Sequence, residues 1–241
     1  MNHDRDQDPD RFDAEVKVVC DLYAEAEELY QQGVHLVSTD EKTGIQALER
    51  KHPTKPLRPG QVERREFEYI RHGTQTLIAN FDVAQGTLVA PSIGPTRKEQ
   101  DFATHIEQTV ATDPDASWIF IVDQLNTHQS ETLVRLVARR CQIEVDLGHK
   151  GKSGILKSMP SRAAFLSDPT HRIRFVYTPK HTSWLNQIEI WFSILMRRLL
   201  KRASFISTDD LRQHILAFID YFNRTMAKPF KCTYTGRPLQ A

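Results

Sequence analysis

Apolar and polar positions alternate along this chain in a readable order. From Phe12 to about Gln32 the spacing Val16, Val19, Cys20, Tyr23 and Tyr30 predicts a helix packed by one face, ended by Gly33. Gly33 to Asp40 then reads as a strand on which Leu36, Ser38 and Asp40 share a face and Glu41 points the other way. Thr76 to Asp82 and Gly86 to Ala90 predict two strands of a hairpin, and Arg97 to about Thr112 a helix with Phe102, Ile106 and Val110 on one side. Trp118 to Val122 is an uninterrupted apolar run, the mark of a strand buried on both faces, followed by a helix through Leu133, Leu136 and Val137.

The run IRFVY from Ile173 predicts one more strand. After Pro179, the stretch Ser183-Trp184-Leu185-Asn186 is expected to open a helix with a core stripe of Leu185, Ile188, Phe192, Leu195 and Leu199. Ser207 and Asp210 then form a capping box before a closing helix through Leu211, Ile215, Phe218, Ile219 and Phe222. Collected in order, these elements are a three-strand meander followed by alternating helices and strands, an α/β mixed sheet flanked by helices. In such a sheet the first and fourth strands can lie side by side.

That adjacency matters because both strands deliver an acid. Asp40 follows GVHLVST and Asp123 follows SWIFIV, while Glu189 lies early in the penultimate helix, where the helix dipole favours negative charge. Carboxylates converging beyond strand ends make a hard-oxygen site suited to magnesium or manganese, and two such ions can clamp both oxygens of an in-line phosphoryl transfer. Two residues here also have plainer uses: Asp40 as a cap on a turn before Lys42-Thr43-Gly44, and His128, after Asp123, as a helix-start residue bonding locally.

The net charge of +1 conceals an uneven distribution. Residues 1–32 carry three basic and ten acidic side chains, whereas residues 147–202 carry eleven basic and two acidic. The second block, which surrounds Glu189, is a candidate polyanion surface. Within it Gly151-Lys152-Ser153 resembles the end of a phosphate loop, but Asp146 stands where that loop needs glycine. The three cysteines have no metal-ligand spacing, there is no apolar run of about 18 residues and no signal peptide, so an intracellular protein is expected.

Three blocks, VSTDEKTG, IVDQLNTH and YTPKHTSWLNQIEIWF, resemble the signatures of bacterial insertion-sequence transposases of the mariner-like superfamily, DDE endonucleases with a ribonuclease H-like fold. The resemblance covers roughly Gly33 to Arg202. It implies that Asp40, Asp123 and Glu189 hold two catalytic Mg2+ or Mn2+ ions. It further implies nicking of double-stranded DNA at transposon ends and attack of the freed 3′-hydroxyl on a target, usually at TA, by a homodimer on DNA in the bacterial cytoplasm, at the nucleoid.

Asn126, His128, His181, Trp184 and Asn186 fall in these blocks as supporting or DNA-contacting groups, and Lys150, Lys152, Arg197 and Arg198 supply basic charge around them. Sixty-five residues separate Asp123 from Glu189, well above the spacing common in the superfamily. Residues 147–174 are therefore expected to be a basic insertion that grips DNA, within a catalytic domain at 33–226 between an acidic tail and helix at 1–32 and a C-terminal tail at 227–241. Only about thirty residues precede the first strand in this sequence, and the helix-turn-helix modules that the resemblance leads one to expect before it are not expected within them. A truncated, non-catalytic DNA-binding remnant or regulator is the alternative, and a ribonuclease H or junction-resolving enzyme a third reading.

Overall fold

The computed structural model describes residues 8–52, 58–62 and 67–232. The Pro-rich stretch between His52 and Gly60, the first seven residues and most of the tail after Pro229 lie partly or wholly outside them. One five-stranded sheet runs through the molecule in the order β3-β2-β1-β4-β5. Its strands are β1 (Val34–Arg50), β2 (Tyr69–Asp82), β3 (Thr87–Gly94), β4 (Ser117–Val122) and β5 (Ile173–Tyr177). The first three pair antiparallel; β4 lies parallel to β1, and β5 parallel to β4. Together with the flanking helices this is the ribonuclease H-like α/β arrangement that the signature blocks imply.

Alternation along the strands sorts two cores. On one face Leu36 and Ile45 of β1, Leu77, Ala79 and Phe81 of β2, and Ile119 and Ile121 of β4 meet three helices: α1 (Pro9–Gln31), α5 (Ile188–Leu195) and α6 (Thr208–Thr225). On the other, Val37, Ile78, Trp118, Phe120, Val122 and Phe175 pack against α2 (Glu99–Val110), α3 (Glu131–Arg140) and α4 (Met159–Leu166). A polar seam crosses the second layer, where Thr39 Oγ1 donates to Asn80 Oδ1 at 2.6 Å and Asn80 Nδ2 donates to Thr109 Oγ1 at 2.6 Å. These three buried side chains thereby partner one another.

Ser207 caps α6 as the sequence predicts, accepting from Asp210 N–H at 3.0 Å, whereas α1 opens three residues before the expected Phe12, at Pro9, with Asp8 accepting from Arg11 N–H. Gly33, at φ 78°, ends the first helical segment. The exposed edge of β3 is held by Asn223 of α6, whose side-chain amide accepts Leu88 N–H and donates to Leu88 C=O, both at 2.8 Å. One amide side chain thus substitutes for a neighbouring strand.

Two local predictions need correction. Asp40 does not end its strand, because β1 continues to Arg50 and the expected turn at Lys42-Thr43-Gly44 is a bulge, a shift of register against β2 between Lys42 and Ile45 with Gly44 at φ 64°. The helix carrying Glu189 does not open at Ser183 either. Ser183–Leu185 form a single 3-10 turn, Asn186 breaks out at φ −81°, ψ 109°, and α5 starts at Ile188 and closes in a π-helical turn, Met196–Leu200.

Residues 147–174 are built into the second layer. Leu156 and Leu166 are fully buried there, the Arg162 side chain donates to the carbonyls of Gln129 and Leu156, and the last two residues open β5.

Candidate active site

Asp40 and Asp123 come together because β1 and β4 are parallel neighbours. The last registered pair, Ser38 with Ile121, stands two residues before each acid, so both carboxylates leave the sheet at the same level. Asp40 Oδ1 accepts the Glu41 N–H at 2.7 Å, and Asp123 Oδ1 accepts the Leu125 N–H at 3.0 Å. Among the described residues neither Oδ2 is engaged by a hydrogen bond in this geometry.

The environment drives the two acids apart electrostatically. Burial pushes the Asp40 carboxyl up to about 7, opposed by the Glu41 N–H and reinforced by the charges of Asp123 and Glu41. Asp123 is lowered despite its own burial, because His128, the Leu125 N–H and Arg97 stabilise its anion. His128 is itself pushed up to about 10: desolvation disfavours its charge, but bonds to Asp123 and Glu41 outweigh it.

His128 is the centre of this arrangement. It is fully buried, with Nδ1 2.8 Å from Asp123 Oδ1 and Nε2 3.2 Å from Glu41 Oε1, and its ring lies 4.2 Å from that of Phe102. A 3-10 turn, Asn126–Gln129, brings it there from the end of β4. Glu41 was legible only as the residue facing away from Asp40; that opposite facing is what lets it reach the histidine under the sheet.

Glu189 occupies the first turn of α5, and its position depends on β1. Ser38 Oγ accepts the Ile188 N–H at 2.9 Å and donates to Asn186 Oδ1, while Asn186 Nδ2 donates to the Thr39 carbonyl at 2.9 Å. Asn186 is buried, at 1% exposure. Glu189 lies in a groove with Lys42, Phe192, Met196, Arg197 and Lys201, and Lys42 places its ammonium 5.7 Å from the Phe192 ring centre. Among the described residues no three His, Cys, Asp or Glu side chains are drawn into one ion-holding cluster, and the helix that carries Glu189 packs on the sheet face of Leu36 and Ile45.

The remaining sequence candidates spread around this centre. Asn126 is exposed in a groove shared with Gln124, Arg174, Tyr177 and Lys180. Trp184 is 54% exposed, and His181, also exposed, holds φ 61° in the turn before it. Lys150 stands 3.6 Å from Glu99, and Lys152 lies exposed in the following turn. Arg197 and Arg198 are exposed on the π-helical turn. Lys201, on the turns after Glu189, is one of the basic residues the sequence sets behind that acid; Lys42 was not anticipated, although it is two residues along the strand from Asp40.

The donor set fits divalent ions. Two carboxylates at one level on adjacent strands, each with one oxygen fixed by the protein and one left over, form a hard-oxygen site that a cation would relieve of mutual repulsion.

Comparison with known proteins agrees with this fold. The Mos1 mariner paired end complex with Mn is similar in structure, with a TM-score of 0.52 at 13% identity over 88% of this chain and 55% of that one. The Mos1 transposase catalytic domain with Raltegravir and Mn gives a TM-score of 0.51 at 10% identity, covering 88% of this chain and 82% of that one. The chain therefore spans about half the length of the protein in the paired end complex, and at such identities the likeness is one of fold. No curated protein matches the sequence. The sequence pattern of the DDE superfamily endonucleases, however, matches residues 35–212, from the start of β1 into α6. With that stretch covering most of the chain, the protein is a member of the DDE superfamily endonuclease family.

Proposed function

We propose that this chain is the catalytic domain of a DNA transposase that cleaves DNA strands and joins a 3′-hydroxyl end to a target. The observation that carries the reading is the emergence of Asp40 and Asp123 at one level from adjacent parallel strands, with a helix bearing Glu189 hydrogen-bonded to the first of them. Asp40, Asp123 and Glu189 would hold two Mg2+ or Mn2+ ions. When bound, such ions supply charge neutralisation to the attacking and leaving oxygens of an in-line phosphoryl transfer.

The chain's own groups do the rest. His128 and the Leu125 N–H fix one oxygen of Asp123 and so aim the other outward. Lys42, Arg197 and Lys201 set positive charge beside Glu189, where a phosphodiester backbone is the natural counterpart. Double-stranded DNA, in the form of transposon ends and a flexible TA target, is the proposed substrate, handled by two copies of the chain. Among the described residues no helix is long and apolar enough to cross a membrane. The proposed place of action is the DNA of a bacterial nucleoid.

Incubation of duplex DNA with the protein in Mg2+ or Mn2+ tests the reading. Strand cleavage by the parent that Asp40→Asn and Asp123→Asn abolish supports it. DNA binding without cleavage under either metal would favour a non-catalytic regulator instead.

A further inference from the structure

Helix α5 starts without a cap of its own. Gln187 precedes it and makes no side-chain bond to its first turn, although the opening amides of a helix need partners. Two remote side chains supply them. Tyr23, from the middle of α1, accepts the Gln187 N–H at 3.3 Å and donates its hydroxyl to the Leu185 carbonyl at 2.8 Å. Ser38, on β1, accepts the Ile188 N–H at 2.9 Å. Asn186 links the same turn to β1 through Ser38 and the Thr39 carbonyl.

All of these groups are buried, Ser38 completely and Asn186 to 1% exposure. Phe12, Val16 and Cys20 of α1 pack on Leu185 and hold the helix against the same turn. The chemistry lies immediately beyond: Ser38 is two residues from Asp40 on one face of β1, and Ile188 is the residue before Glu189. The network is thus a hydrogen-bonded path from the strand of one acid to the helix of another. With only eight residues before its π-helical turn, α5 has little internal means of fixing its own height.

We propose that Tyr23, acting with Ser38 and Asn186, is a positioning residue: it fixes α5 along its axis and so sets the reach of Glu189 toward Asp40 and Asp123. This rests on the active-site reading above and gives α1 a part in the reaction. Loss of the Tyr23 hydroxyl leaves the Gln187 N–H and Leu185 C=O unpartnered and lets the helix start shift. The effect falls on the acid whose approach completes the ion site.

The test uses the full chain, with Tyr23→Phe and Ser38→Ala compared with Val19→Ala, a fully buried core substitution on α1. Free Mn2+ is followed by electron paramagnetic resonance during titration of the protein without DNA, and joining of a precut 3′-hydroxyl end is measured in parallel. Both are normalised to the folded fraction from circular dichroism. Tyr23→Phe and Ser38→Ala are expected to weaken Mn2+ binding and slow joining, each by about tenfold, the scale of one lost buried hydrogen bond. Val19→Ala is expected to lower the unfolding temperature while leaving both quantities at parent values.

Parent-like Mn2+ binding and joining in the folded Tyr23→Phe and Ser38→Ala proteins would overturn the positioning role alone. A parent that binds no Mn2+ would overturn the active-site reading and the positioning role with it.

Discussion

The imidazole of His128 stands with Nδ1 2.8 Å from Oδ1 of Asp123, and through this contact one buried ring governs the acid that β4 delivers. Its other nitrogen meets Glu41, whose side chain is 2% exposed and which follows Asp40 on β1. The histidine therefore ties the strands of both acids from beneath. His128→Ala would leave Glu41 as a buried carboxylate without its partner, a loss on the order of 3–5 kcal/mol in stability. Urea unfolding checks it. Because the two residues share one interaction, Glu41→Gln combined with His128→Gln should cost less than the two single losses added together.

His35 provides a pH dependence of defined sign. Its Nδ1 lies 3.0 Å from Asp82 and its Nε2 3.1 Å from Asp113, while the Trp118 ring stacks at 4.2 Å and Tyr30 meets it edge-on. The bond to Asp82, aided by Asp113 and opposed by burial, raises its pKa above the ordinary 6.5. A histidine whose folded value is raised contributes stability that is fully present below the unfolded value and is lost as pH rises through the folded one. The stability gap between the parent and His35→Gln is therefore expected to be widest below about pH 6.5 and to narrow on the alkaline side. Denaturant titrations at a series of pH values measure that gap.

Gly86 is fixed by both backbone and space. It holds φ 67°, and a Cβ there would stand 2.0 Å from the Lys228 carbonyl carbon. The tail it admits brings Phe230 onto Phe81 with ring centres 4.5 Å apart. Gly86→Ala should cost upwards of about 2 kcal/mol, because the left-handed conformation and the clash with backbone act together. Thermal unfolding reads the loss, while substitution at Gly44, where a Cβ meets nothing within 4 Å, involves only the backbone strain.

Most of the fold was legible because its strands follow the two-residue period and its helices the 3.6-residue one. SWIFIV became β4, between β1 and β5, and IRFVY became β5. The start of α5 was not legible, since the groups that cap it are Ser38 and Tyr23, about 150 residues away in sequence, and no local signal encodes them. The end of β1 was misread because Lys42-Thr43-Gly44 has turn chemistry, yet the strand absorbs it as a bulge. Asp40 and Asp123 were found from the ends of apolar runs, whereas the role of His128 needed Glu41, and that pairing appears only when two strands are adjacent.

The central claim is that Glu189, far from Asp123 in sequence, is the third acid of a DNA-joining site. A strand-transfer assay with a precut 3′-hydroxyl DNA end in Mg2+ or Mn2+, comparing the parent with Glu189→Gln, tests it most directly. The account predicts joining by the parent and a loss of at least about a hundredfold in the variant, the scale expected when a group acting on the transition state is removed. Joining by Glu189→Gln at the parent rate would contradict it.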